Sequence, residues 1–211
     1  MNLIMKKLKL LTAVVILAMS STLASAQIAF AIKGGANLSN FYSDELSDKN
    51  TKVGFHVGLQ ADYEFTPNMA IQPGLFFTTK GSKITTEYQE KEGEFSQNLM
   101  YLQLPVHFAY KQDITPGTRI VFHAGPYVAY GVGGKSKVTA GSITLESDKV
   151  FGDGILQYKS FDAGLGLGIG GEFGPFLIDL GWDMGLVDIS NIDDGGVKNQ
   201  NAYLSIGFRF D

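Results

Sequence analysis

Three histidines are the first residues in this sequence whose type could support chemistry. His56, His107 and His123 all lie in segments where polar and apolar residues alternate. Imidazole nitrogens bind metal ions and act as general bases, so a cluster of the three would suit a metal site or a hydrolase. No G-x-S-x-G or H-E-x-x-H pattern accompanies them, however. We therefore predict interior histidines that fill space, with no catalytic, metal or cofactor site.

Charged residues on the polar faces of the same segments form the second candidate site. If these faces point into one interior, acids and bases can pair there, which makes the burial of charge tolerable, whereas an unpaired buried charge is very costly. We expect Asp62 and Glu64 to meet Lys111 or Arg119. The interpretations are a structural ion-pair network or a narrow ion-conducting lumen. The set is Lys33, Asp62, Glu64, Lys80, Lys111, Arg119, Asp162, Glu172, Asp179, Asp183 and Arg209.

A row of glycines from Gly164 to Gly170 could be mistaken for a phosphate-binding loop. The glycines recur at every second position, as one face of a strand does, and no Lys-Ser or Lys-Thr follows them. A nucleotide site therefore does not fit. Close packing inside the fold is the simpler explanation.

The elements that carry these residues are long two-faced strands. From residue 52 to 65 every odd position from Val53 to Phe65 is apolar, and every even position is polar or glycine. A usual strand has about 5–6 residues, whereas a tilted membrane-spanning strand needs about 9–11. The same alternation predicts eight strands, at about 28–40, 52–65, 69–84, 97–111, 119–132, 157–173, 176–186 and 201–210.

The connections between these strands alternate in length. Short turns at 66–68, 112–118 and 174–175 alternate with longer loops at 41–51, 85–96, 133–156 and 188–200. Short periplasmic turns and longer external loops are typical of outer-membrane barrels, whose sheet must close because lipid cannot satisfy a free edge. We predict an all-β, eight-stranded, antiparallel up-and-down transmembrane barrel. A soluble lipocalin-like barrel with the faces inverted is the alternative fold.

The N-terminus and the composition agree with export. Lys6, Lys7 and Lys9 precede an apolar run that ends at Ala24-Ser25-Ala26, so residues 1–26 are predicted to be a signal peptide and 27–211 the barrel. Without the three leader lysines, fourteen basic residues face 21 acidic ones, a net charge of −7. That balance argues against nucleic-acid binding. The chain has no cysteine, which excludes disulfides and thiol chemistry.

Several motifs resemble the PorT-like small outer-membrane β-barrel family of the Bacteroidota type. Residues 32–39 are similar to its opening strand, residues 101–106 to its tyrosine–leucine–acid–apolar–proline strand, and residues 205–210 to its last strand. Gly125-Pro126-Tyr127 and the glycine-rich run from Asp162 resemble strands between them. Gln103 departs from the family pattern, which often has an acid at that position. The resemblance implies the barrel fold and the outer membrane; it implies no reaction.

We therefore predict an integral outer-membrane protein with a side-chain-filled lumen and a structural or loop-mediated role. The alternatives are a small passive pore, an outer-membrane lipid or peptide hydrolase, and a soluble lipocalin-like binder. The predicted partners are outer-membrane lipid, the barrel-assembly machinery during insertion, and an extracellular partner of the four longer loops. We expect a monomer.

Overall fold

The computed structural model describes residues 27–42, 51–88, 91–140, 143–154, 157–191 and 196–210. The strands in these ranges are β1 (Gln27–Tyr42), β2 (Lys52–Thr66), β3 (Met69–Tyr88), β4 (Lys91–Thr115), β5 (Thr118–Ala140), β6 (Ile143–Ser147), β7 (Phe161–Phe173), β8 (Phe176–Gly185) and β9 (Lys198–Phe210). No helix in the described ranges is long and apolar enough to span a membrane. The predicted signal peptide and the loop residues 43–50 lie outside the described residues.

Eight of the strands close into one antiparallel ring. Each of β1 to β4 pairs with its neighbour in sequence, β4 pairs with β5, β5 with β7, β7 with β8, β8 with β9, and β9 returns to β1. The predicted eight-stranded up-and-down barrel is confirmed. The ninth strand, β6, pairs with the outer part of β5 and adds to one side of the wall above the ring.

The alternation of the strands separates lipid-facing from interior side chains. On β2 the side chains of Val53 and Phe55 are 72% and 53% exposed, whereas His56 and Asp62 are buried. The same outward apolar row continues on every strand of the ring, for example at Leu167 on β7. An apolar exterior around a buried polar interior is the arrangement expected of a barrel surrounded by lipid. The lipocalin-like alternative, with the apolar face inside, is therefore wrong for this chain.

The structure corrects the external ends of several predicted elements. β3 runs to Tyr88 and β4 starts at Lys91, so most of the predicted loop 85–96 is a hairpin. β5 runs to Ala140 and β6 lies inside the predicted loop 133–156. Above the membrane a strand needs no apolar row. The alternation of polar and apolar residues therefore ends there, while the backbone hydrogen bonds between the strands continue. Conversely, β7 starts at Phe161 and not at Gln157, and β9 starts earlier than predicted, at Lys198.

Candidate functional site

The lumen holds its charges in three layers, and the lowest lies beside the short turns. Its ion pairs are balanced, three cations against three anions: Lys111, Arg119 and Arg209 with Asp62, Glu64 and Glu172. Lys111 Nζ contacts Asp62 and lies 2.7 Å from Glu64 Oε1 and 2.9 Å from Glu172 Oε1. Arg119 donates to both oxygens of Glu64, at 2.8 and 3.2 Å. This fork is the geometry in which arginine binds carboxylates most strongly.

The middle layer combines one ion pair with a pair of histidines. Lys33 Nζ contacts Asp179, whose other oxygen lies 2.8 Å from His123 Nε2. The rings of His123 and His107 stack with centroids 4.9 Å apart, and their Nδ1 atoms are 3.0 Å apart. One of the two Nδ1 atoms must carry the proton and the other must accept it. Both histidines are buried in the interior, as the alternation predicts, and their stacking follows from the pairing of β4 with β5.

The upper layer surrounds one fully buried lysine. Lys80 Nζ lies 3.2 Å from Asp162 Oδ2 and 4.3 Å from the centre of the Tyr127 ring, which provides a second favourable contact for the cation. Asn199 Nδ2 donates to the same Asp162 oxygen at 3.0 Å. The pairing satisfies a charge that would otherwise be costly to bury.

Asp183 is the member of the predicted set that does not meet a cation. Its Oδ2 accepts a hydrogen bond from Gln103 Nε2 at 3.0 Å, and the described cations form no salt bridge with it. An acid in place of Gln103 would bring a second negative charge against Asp183. Two acids here would repel each other, so the amide is the compatible partner for Asp183. In the described part of the chain, no group of three or more His, Asp or Glu side chains is arranged to hold a metal ion.

A serine, a histidine and an asparagine form an arrangement that sequence reasoning missed. His56 Nε2 lies 2.9 Å from Ser205 Oγ, and His56 Nδ1 lies 2.7 Å from Asn37 Oδ1. A hydroxyl beside a base that a third group orients is the arrangement of a nucleophilic catalyst. The three residues lie on β2, β9 and β1, so only strand pairing brings them together. No motif spacing could have indicated it.

The glycine row of β7 makes room for the histidine pair. A Cβ placed on Gly168 would lie 2.6 Å from ring atoms of His123, closer than real carbon contacts allow. The row therefore lets imidazole rings lie directly on the barrel wall, as the packing explanation predicts. The space left in the middle layer is an internal cavity of about 50 Å³. A buried water needs about 10–15 Å³ of such volume, so the cavity holds only a few.

An apolar cap closes the external mouth above the upper layer. Its buried core is Leu99, Tyr101, Tyr127, Ala129, Val150 and Ile189, and Phe41, Phe151, Tyr158 and Val197 pack against that core. Val150 and Ile189 come from two external segments, whose described residues 148–154, 157–160, 186–191 and 196–197 fold over the lumen. The Phe151 ring packs on Tyr101 with centroids 5.4 Å apart, above Gly131, where a Cβ would collide with it. Val150 and Ile189 lie in the predicted loops 133–156 and 188–200; the structure shows that they are core.

Backbone hydrogen bonds hold the cap segments in one shape. Tyr158 N donates to Val150 O at 2.8 Å, and Lys159 N donates to Ile189 O at 2.8 Å. Asn191 Nδ2 donates to the carbonyl oxygens of Gly152, Gly154 and Gln157, at 2.7 to 3.0 Å. Burial in the cap raises the pKa of the Tyr158 phenol to about 12, because the apolar surroundings disfavour its charged form. The cap is thus an ordered lid of the barrel.

The chain matches a family model described as "Outer membrane protein beta-barrel domain" over residues 20–191. A search of curated proteins gave no match.

Several solved outer-membrane proteins have a similar fold at low sequence identity. Ail, the attachment invasion locus protein of Yersinia pestis, in complex with the heparin analogue sucrose octasulfate, is 18% identical, with 87% of this chain and 99% of that chain covered and a TM-score of 0.43. Neisserial surface protein A is 11% identical, with 87% and 99% covered and a TM-score of 0.46. OprG from Pseudomonas aeruginosa is 14% identical, with 86% and 95% covered and a TM-score of 0.45.

Proposed function

The chain belongs to the outer membrane protein β-barrel domain family, and from this premise we propose that its external segments, and not its lumen, carry the function. It is an integral outer-membrane barrel. Its proposed role is to present an ordered surface outside the cell to another macromolecule, with the barrel as a rigid membrane anchor. The observation that carries this proposal is the double closure of the lumen by ion-paired layers and by the apolar cap.

The filled lumen supports a non-conducting barrel. An eight-stranded barrel is just wide enough to be filled by side chains, and here charged side chains cross it at three levels. The cavity of the middle layer is about 50 Å³, and it lies below the upper layer and the cap. A hydrated ion that crossed the lumen would have to displace the upper layer and the cap. The charge network therefore has a structural role in this proposal and does not conduct ions.

The external sheet supports a binding role. β6 pairs on one side with β5, and its five residues are all exposed, with Ile143 and Leu145 each 67% exposed. Its other edge has no pairing with a described strand. Such an edge offers unpaired N–H and C=O groups to an added strand, and the alternate side chains can give specificity. A rigid barrel that holds this edge clear of the membrane would reduce the ordering cost of binding.

The decisive experiment measures conduction and external contact separately. The purified full chain in planar bilayers should give no steady single-channel steps, and neither should Ile189→Ala, which loosens the cap but leaves the three charge layers. Reproducible steps from the unsubstituted chain would instead establish the small passive pore. A photoreactive residue at Leu145 on intact cells should crosslink to a macromolecule other than the barrel. Crosslinks to lipid or to the barrel alone, matching those from a control at Phe176, would contradict the binding role.

A hydrolase is the second candidate, because Ser205, His56 and Asn37 have the required contacts. Two features oppose it. The Ser205 side chain is buried in a regular strand, where the neighbouring N–H groups are used by the ladder and do not converge on an oxyanion. The cavity beside it also holds only a few waters. We therefore propose that the protein is not an enzyme and that the three groups satisfy each other's hydrogen bonds.

A fluorophosphonate probe tests this second candidate. The intact barrel should show no labelling above that of Ser205→Ala. Labelling that is lost in both Ser205→Ala and His56→Ala would establish a reactive serine and replace the binding role by hydrolysis. His107→Ala serves as the matched control, since His107 contacts His123 and not the serine.

We also propose that the chain is a PorT-like barrel and that the barrel-assembly machinery inserts it into the membrane. The motifs at 32–39, 101–106 and 205–210 support a PorT-like barrel. The apolar row that ends at Phe210 resembles the signal read by the barrel-assembly machinery. The protein is proposed to act as a monomer, since the ring closes within one chain.

A further inference from the structure

A groove at the external rim joins the lipid-facing wall to a cluster of lysines. It has a volume of about 390 Å³. Its lower wall carries Val53, Phe55 and Met100, which face outward, and its upper part carries Lys52, Lys135 and Lys137.

A β-bulge explains why two of the lysines face outward. Tyr101 pairs with Gly131 but Met100 pairs with Gly133, so β5 carries one extra residue at Val132. An extra residue reverses which face the following side chains occupy. Below the bulge the odd-numbered residues of β5, such as His123, point into the lumen. Above it, Lys135 and Lys137 point to the membrane side.

The register places these lysines at the depth of lipid headgroups. Lys135 pairs with Asn98 and Lys137 with Ser96, two and four residues beyond Met100 on β4. At about 3.3 Å per residue, these positions lie roughly 7 and 13 Å above the end of the apolar row. The polar region of a bilayer adds about 5–7 Å beyond each side of the hydrocarbon core. Lys135 therefore lies at the outer limit of that region and Lys137 beyond it, from which its long side chain can reach back.

The charge of the groove is positive in a chain that is acidic overall. Among the residues that the structure describes, three lysines and one acid, Glu146, line it, and Glu146 Oε1 lies 3.9 Å from Lys137 Nζ. Lys135 Nζ lies 4.0 Å from another exposed acid, Asp148. Long, exposed pairs such as these contribute little energy, so a phosphate could replace them. Lys52 Nζ lies 2.9 Å from Ser96 Oγ, which keeps the third cation at the groove.

We propose that this groove binds the phosphorylated headgroup of an anionic lipid of the outer leaflet. The headgroup phosphate contacts Lys52, Lys135 and Lys137, and an acyl chain lies along Val53, Phe55 and Met100. The occupant is a lipid and not a free anion, because the cationic part opens directly onto the lipid-facing wall. Glu146 of β6 lies in the groove lining, but the lysines and the apolar wall belong to β2, β4 and β5, so the test does not depend on the binding role of the β6 edge.

The test compares lipid binding by two double variants. The barrel is placed in phosphatidylcholine nanodiscs containing lipid A that carries a phosphate, and retained lipid is counted by native mass spectrometry after release. Lys135→Gln with Lys137→Gln should weaken retention roughly 30-fold, since each lysine near an anionic lipid contributes about a fivefold factor. Lys149→Gln with Lys159→Gln removes the same charge from the external face outside the groove and should change retention less than twofold. Heat-modifiable gel migration confirms that all variants remain folded.

Two further arms identify the ligand. Dephosphorylated lipid A should be retained no better than phosphatidylcholine, and inorganic phosphate up to the millimolar range should not displace the phosphorylated lipid. Equal retention of the dephosphorylated lipid would overturn the proposal, because the contact would then be apolar only. Displacement by inorganic phosphate would overturn it as well, since the site would then be a free-anion site. Unchanged lipid retention in the Lys135→Gln, Lys137→Gln variant would also overturn the proposal.

Discussion

At the scale of single residues, Lys111 lies at the centre of the lowest charge layer. Its ammonium group is fully buried and contacts three carboxylates, on Asp62, Glu64 and Glu172. Removing Lys111 leaves Asp62 without a salt bridge from the described cations, whereas Glu64 and Glu172 keep Arg119. A buried carboxylate that has lost its cation is costly. The surface lysine Lys159, which lies 3.9 Å from Asp188, has a similar partner but remains in water.

Lys111→Met is expected to lower the free energy of unfolding by about 3–5 kcal/mol, the usual cost of breaking a buried ion pair. Urea unfolding in lipid vesicles, followed by the fluorescence of Trp182, measures it. Trp182 is the only tryptophan and faces outward from β8. Lys159→Gln is the control and should cost less than about 1 kcal/mol, because its pair is solvent-exposed. Equal effects of the two substitutions would mean that the lumen network adds no stability.

At the scale of elements, the cap shows that two external segments have a core of their own. Ile189 and Val150 are buried there, although neither segment forms a regular strand at those positions. The core is attached to the barrel through Tyr101 and Tyr127, whose rings also contact the Lys80 ammonium. The cap and the upper charge layer therefore share side chains and should stabilise each other.

Ile189→Ala is expected to loosen the cap without unfolding the barrel. Truncating a buried isoleucine lowers stability by about 2–5 kcal/mol. The loss is confined to the cap, because the barrel ring is held by its own backbone hydrogen bonds. Trypsin cleavage after Lys159, whose N–H is bonded to Ile189 O, should become at least tenfold faster. Ile206→Ala, at a lipid-facing position, should leave that cleavage rate unchanged. If both variants are cleaved equally slowly, the cap does not depend on this core.

At the scale of the whole molecule, closure depends on the pairing of β4 with β5 and not on β6. The ring residues of β5 pair on both sides, as Val128 does with Leu104 and Ala163. The residues of β6 pair with β5 alone, in the part of the chain that the structure describes. In lipid each unpaired backbone group costs several kcal/mol, so a break in the ring should be far more damaging than a break in the hairpin.

Proline substitution separates the two cases, because proline cannot donate to a strand ladder. Ile143→Pro with Leu145→Pro should disrupt the β5–β6 pairing and leave heat-modifiable migration intact. Val128→Pro should prevent assembly of the barrel and abolish the folded band. A hairpin variant that also fails to fold would show that β6 takes part in assembly.

The sequence by itself determined the barrel, its strand number and the orientation of its two faces. A period of two over lengths near ten residues, repeated eight times with alternating loop lengths, leaves few other folds, and lipid makes the apolar face point outward. Only the tertiary structure decided which charges meet. Lys111 reaches acids on β2 and β7, and His56 meets Ser205 and Asn37, because closing the ring sets a register across strands that are distant in sequence. The sequence also could not predict the cap or the outward direction of the lysines above Val132. A buried loop residue and a bulge leave no periodic signal.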